Sequence, residues 1–263
     1  LSSTGGGLWI DGTTNITNSN GTFAISGDSL SSQAVSWSGT TTVNLTSGRL
    51  SLTGKSDGGI GINSTATLNA NIGNGQNFNI TATSTGNTTA MNLIGGKINL
   101  TNTNGTTNGT MAINATSGSW TGFFANASAA ITASGGALTI NSSTGSNNGT
   151  GLNLSAASVT ATNSTVNLYG NSTSDMGVNI SSNNTFTQTG STLNIAATSN
   201  TGTALNLTGN NSFSATNSTL NITGTSTSGK GIYMAGTSNV TATNSTANIN
   251  GTSDNSTGID HVG

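Results

Sequence analysis

The side chains able to do acid–base or metal chemistry in this 263-residue chain are few and dispersed. The acids are Asp11, Asp28, Asp57, Asp175, Asp254 and Asp260, with no Glu; the basic residues are Arg49, Lys55, Lys97, Lys230 and His261. Cleaving a polysaccharide needs converging carboxylates, often with a Lys or Arg beside them. No two aspartates fall in a common register, and a catalytic site needs convergent titratable groups. Asp175, beside Met176, reads as a solvated corner, and His261, third from the C-terminal end, as a frayed terminus. With no Cys, no glycine-rich calcium repeat and no metal-ligand spacing, the expectation is no enzyme activity, no metal and no cofactor.

Three other patterns carry chemistry of a different kind. Asn-x-Ser/Thr, the acceptor signal for N-glycosylation, occurs 26 times. The candidates include Asn15, Asn44, Asn79, Asn99, Asn114, Asn153, Asn179, Asn206, Asn221 and Asn239. A chain this rich in Asn, Ser and Thr also produces the triplet by composition alone. Asn163, Asn217 and Asn244 read as corner residues, while Asn206 and Asn221 sit mid-strand, where stacked amides form ladders. The second pattern is Thr160-x-Thr162, Thr187-x-Thr189, Ser214-x-Thr216 and Thr241-x-Thr243. On stacked strands these hydroxyls repeat at ~6.6 Å along the chain and ~4.8 Å between coils. That flat grid is similar to those of ice-binding solenoids, although Thr also simply suits an exposed strand. The third pattern is Trp120, Phe123 and Phe124 within SGSWTGFF. They either fill a widened core or form a sugar-stacking platform on a loop, and Trp9 and Trp37 pose the same choice.

What must position these residues is a repeat. Ser-Thr-Val at 164–166, Ser-Thr-Leu at 191–193, Ser-Thr-Leu at 218–220 and Ser-Thr-Ala at 245–247 recur at one constant interval, as do Val178, Leu205, Ile232 and Ile259. Fixed self-similarity at this 27-residue period is a solenoid signature. Within 191–217, Leu193/Ile195, Leu205/Leu207 and Phe213/Ala215 each flank one polar residue. Period-two alternation turns each pair inward. Three such strands per turn predict an all-β, triangular parallel β-helix (β-solenoid). Asn163, Gly190, Asn217 and Asn244 share a column, and only Asn and Gly readily adopt positive φ, so that column marks a corner.

Upstream the spacing drifts. The step from Leu138 to Val166 is 28, while those from Phe78 to Ile98 and from Met91 to Met111 are each 20. The expected coils therefore run from about 20 to about 28 residues. One rod segment over 1–263 is expected, irregular over 1–158 and regular over 159–263. The chain begins mid-pattern at Leu1-Ser2-Ser3-Thr4, and neither end shows a polar cap, so a piece of a longer rod is expected. The stretch from 97 to 138 is the first place to look for a binding site.

Only 4% of residues are charged, for a net charge of −2. There is no basic stripe for a phosphate backbone and no apolar run long enough to span a bilayer, so neither nucleic acid nor membrane insertion is expected. Helix formers such as Glu, Lys and Gln are nearly absent, while Thr and Asn suit strands and turns.

Stretches such as VTATNSTANINGTS (240–253) and LNITGTSTSGKGI (220–232) resemble the rod regions of two-partner secretion, filamentous-haemagglutinin-like exoproteins. The texture is most similar to the branch of glycosylated high-molecular-weight adhesins and EtpA-like exoproteins. The resemblance covers the chain as repeat texture, without a sharp motif. It implies a right-handed β-helix, export through an outer-membrane partner pore, and a secreted or cell-surface location. It also implies attachment to host cell-surface glycans or receptors, hexoses on sequon asparagines and, in EtpA-like members, flagellin as a partner. An ice-binding solenoid and a purely structural spacer are the other readings.

Overall fold

The structure is a computed structural model that describes residues 7–102, 109–145 and 148–262. The opening Leu1–Thr4 pattern and residues 103–108 of the 97–138 stretch lie outside the described residues. Among those described, every regular element is a strand, 28 in all, and each pairs in parallel with the equivalent strand of the next coil. Three sheets result. The first holds ten strands, from Leu8–Ile10 to Ile259–Val262. The second holds nine, from Thr13–Asn18 to Ser238–Thr243, and the third nine, from Thr22–Ser29 to Thr246–Ser253. Each coil visits the three sheets in that order, which is a β-solenoid with three strands per coil.

Alternation builds the core. In the third sheet Val166, Leu193 and Leu220 stack in register, as do Leu168, Ile195 and Ile222, and all six are buried. Val178, Leu205 and Ile232 do the same in the first sheet. In the second, Phe186 and Phe213 stack with centroids 4.5 Å apart and planes within 6°. Removing this apolar surface from water is the main drive for coil-on-coil stacking.

Coil length differs from the expectation upstream, where most irregular coils lengthen and none shortens to 20 residues, the shortest step being the 26 from Leu152 to Val178. Phe78 pairs with Met111 and Met91 with Phe123, both wider steps than the regular repeat. Ile98 lies in the second sheet, in register with Leu68 and Ile131. The short steps from Phe78 to Ile98 and from Met91 to Met111 therefore join strands of different sheets, because an apolar-x-apolar triplet looks alike in all three. The regular spacing also holds near the start, where Leu8, Val35 and Ile62 share a column.

Each corner carries its own polar column, which is how a turning backbone is satisfied in a buried setting. Between the second and third sheets Asn163, Gly190, Asn217 and Asn244 have φ of 46°, 58°, 49° and 48°, as their types require. Just after them, the N–H groups of Ser164, Ser191 and Ser218 donate to Oγ of Ser191, Ser218 and Ser245, one coil on. Between the third and first sheets, Oγ of Ser172, Ser199, Ser226 and Ser253 donates to the carbonyls of Gly149, Asp175, Gly202 and Gly229. Between the first and second sheets, Asn184 Nδ2 donates to Asn211 Oδ1 at 3.0 Å, while Asn184 Oδ1 accepts from the Ala157 N–H at 2.8 Å.

Candidate functional site

The outward residues of every coil fall into rows along the axis, so each candidate residue is met by its equivalents above and below. Seven of the ten candidate asparagines lie in amide ladders. Asn206 Nδ2 donates to Asn179 Oδ1 at 2.7 Å, and Asn179 Nδ2 to Asn153 Oδ1 at 3.1 Å. Asn221 donates to Asn194 at 2.8 Å and accepts from Asn248 at 2.8 Å. Asn44 accepts from Asn71, Asn99 donates to Asn69, and Asn114 accepts from Asn141. Asn15, Asn79 and Asn239 are exposed on strands and stand outside these bonds. The corner residues Asn163, Asn217 and Asn244 are also exposed. They line an axial groove of about 590 Å³ with Ser191, Thr192, Ser218 and Thr219.

The hydroxyl pairs face out from the second sheet. Thr160, Thr187, Ser214 and Thr241 form one row, and Thr162, Thr189, Thr216 and Thr243 the next. The first row runs further than the four expected coils. Upstream of Thr160 come Thr132, Asn99, Asn69, Thr42 and Asn15. The polar grid thus covers all nine strands of the sheet, and Lys97 is the only charged residue on them. The upstream part was missed because Asn replaces Thr there.

The aromatics of SGSWTGFF divide three ways. Phe123 is fully buried in the first sheet's core, which corrects its standing as a ligand contact: in a strand, successive side chains point to opposite faces. Phe124 faces out, half-buried, between Asn92 and Asn153. Trp120 is 53% exposed in the preceding turn, where its backbone N–H donates to Ser117 Oγ. Trp37 is buried, with Nε1 donating to Thr41 Oγ1 at 2.8 Å, whereas Trp9 is exposed.

One further outward aromatic was not singled out from the sequence. Tyr169 follows Val166-Asn167-Leu168 in a third-sheet strand, and alternation turns it outward between Asn141 and Ala196 of the neighbouring coils. It lines a shallow pocket of about 320 Å³ together with Asn114, Thr116, Asn141, Ser143 and Asn171. The available signal was a Tyr in a row otherwise filled by Ser, Thr, Asn and Ala.

The ionisable groups form small local sets, the largest being Asp28, Lys55 and Asp57, which line one hollow of about 240 Å³. Asp11 Oδ1 accepts from Ser38 Oγ at 2.6 Å and from the Gly12 N–H at 2.7 Å, and these bonds hold its carboxyl below the usual carboxylate range. Lys55 lies 3.9 Å from Asp57, and Lys230 2.6 Å from Asp260 with its ammonium 4.3 Å from the Tyr233 ring centre. His261 is not a frayed end: it sits in the strand Ile259–Val262, in register with Met234. Among the described residues no group of three or more His, Cys, Asp or Glu is placed to hold a metal ion.

No protein-family model, no curated protein and no solved structure significantly matches this chain. The adhesin resemblance accordingly rests on repeat texture alone.

Proposed function

We propose that this chain is a segment of a secreted bacterial adhesive rod, which supports attachment to host cell surfaces and carries sugars on some of its exposed asparagines. One observation supports this reading most: coils from Leu8 to Val262 stack in parallel register and present faces made mostly of hydroxyls and amides. Such a shape provides reach and repeated weak contacts in place of one deep site. The test is retention of host cells by the immobilised chain, with and without enzymatic removal of the cells' surface glycans. Retention that depends on those glycans supports attachment. Equal, background-level retention in both arms removes it and leaves a spacer.

A second reading has its own observation. The second sheet's grid of Thr, Ser and Asn runs over nine strands, which is large enough to order water or meet a crystalline surface. A freezing-point gap for the purified chain supports an ice-binding role; its absence removes that role.

A further inference from the structure

We propose that the pocket beside Tyr169 on the third sheet binds a single neutral sugar residue, through its apolar face and ring hydroxyls. The inference deepens the attachment reading, on which its choice of ligand rests.

The pocket begins as an interruption. Along its row, Asn114 and Asn141 form an amide pair, with Asn141 Nδ2 donating to Asn114 Oδ1 at 3.0 Å. The next coil offers Tyr169 in place of a third Asn, and the one after it Ala196. The ladder stops there, so Asn141 Oδ1 has no amide above it to accept from. Ala196 leaves a step beside the ring, because a methyl group follows a phenol at a strand spacing of ~4.8 Å. The adjacent row supplies Thr116, Ser143, Asn171 and Thr198, all lining the same hollow. Only one hydroxyl–hydroxyl bond is made among them, from Ser143 to Thr116 at 3.3 Å.

The result is one aromatic surface, 38% exposed, ringed by amides and hydroxyls. A hollow of about 320 Å³ is at the small end of ligand sites, which combine an apolar surface with a few converging polar groups. None of the lining residues is a carboxylate, ammonium or guanidinium, so an ionised ligand would lose water without gaining a partner. A pyranose matches what remains: its C–H face lies on an aromatic ring and its hydroxyls both donate and accept. The larger corner groove lacks any aromatic side chain, and Trp120 lies in a turn and lines neither hollow. The pocket is shallow and open, so affinity in the millimolar range is expected, of use only when repeated.

The experiment is saturation-transfer-difference NMR on the purified chain with glucose, galactose, mannose, N-acetylglucosamine and lactose. Transfer concentrated on the C–H protons of one sugar face is expected for at least one of them. Tyr169→Ala should weaken that sugar by about tenfold or more, while Tyr169→Phe keeps most of it. Ala196→Leu fills the step and should abolish transfer from a side chain that is not itself aromatic. Both positions lie on the outward face, and unchanged melting temperatures establish that the fold is intact. No transfer from any sugar, or equal transfer with Tyr169→Ala, overturns the proposal. No cells are involved, so the two readings separate. Transfer from a chain that fails to retain cells supports the pocket and removes attachment. Cell retention without transfer overturns the pocket and leaves attachment standing.

Discussion

Asn206 lies one coil above Asn179 and donates to its side-chain oxygen at 2.7 Å, so two glycosylation triplets share one amide–amide bond. A transferred hexose replaces a hydrogen on Nδ2 and is wider than the ~4.8 Å between coils. Adjacent ladder positions therefore exclude each other, as do the stacked corner residues Asn217 and Asn244, but the exposed corners Asn163, Asn217 and Asn244 break no amide ladder when modified, and Asn163 is followed in its column by Gly190. Glycopeptide mass spectrometry of native material should show hexose at the corners and never on Asn179 and Asn206 of one molecule. Hexose on both in the same peptide defeats this argument.

The stacked rings of Phe186 and Phe213 form the aromatic pair at the centre of the regular coils, and both are fully buried. Phe213→Ala leaves a ring-sized void between coils and should cost about 3–5 kcal/mol in denaturant unfolding. A loss under about 1 kcal/mol would mean that the neighbouring coils collapse to fill it.

Gln188 occupies an inward column between Ala161 and Ala215, and neither its amide nitrogen nor its oxygen finds a partner. A buried amide in that state costs about 1–3 kcal/mol. Gln188→Leu keeps the volume and removes the polar atoms, so it should raise the melting temperature. A lower one would show that the amide is satisfied by water.

Ala127 and Ala156 hold φ of 53° and 52° at the corner between the first and second sheets, where Gly209 and Gly236 also stand. A left-handed backbone costs an L-residue about 1–2 kcal/mol. Ala156→Gly should therefore stabilise the rod by up to about 1 kcal/mol, allowing for the freer unfolded chain. Gly209→Ala should do the reverse more strongly, since the added carbon would lie 2.7 Å from the Ser182 carbonyl oxygen. Chemical denaturation of the pair reads both signs.

Three strands per coil, the inward triplets and the positive-φ corner were legible because each depends on local residue type. Asn and Gly alternate in the column of Asn163, Gly190, Asn217 and Asn244 for a reason the backbone then displays. Coil length was not legible upstream, since Phe78-Asn79-Ile80 and Ile98-Asn99-Leu100 carry the same alternation in different sheets. The better phase marker was the serine that closes every third-sheet strand but Ala137–Thr144, as at Ser56, Ser84 and Ser117, and anchors the next corner. The hydroxyl rows were legible only where Thr fills them. Phe123 and Phe124 could not be told apart until the register with Met91 and Asn92 gave one an inside and the other an outside position. The Tyr169 hollow depends on Asn141 and Ala196, each a full coil distant in sequence, and no local pattern joins them.

The constant coil spacing makes the molecule a ruler. Each strand is bonded only to its counterparts in adjacent coils, so duplicating or deleting one regular unit alters no other pairing. Such a change moves everything beyond it by ~4.8 Å along the axis. Reach can thus be inherited in fixed increments, while the chemistry of each face stays as it was.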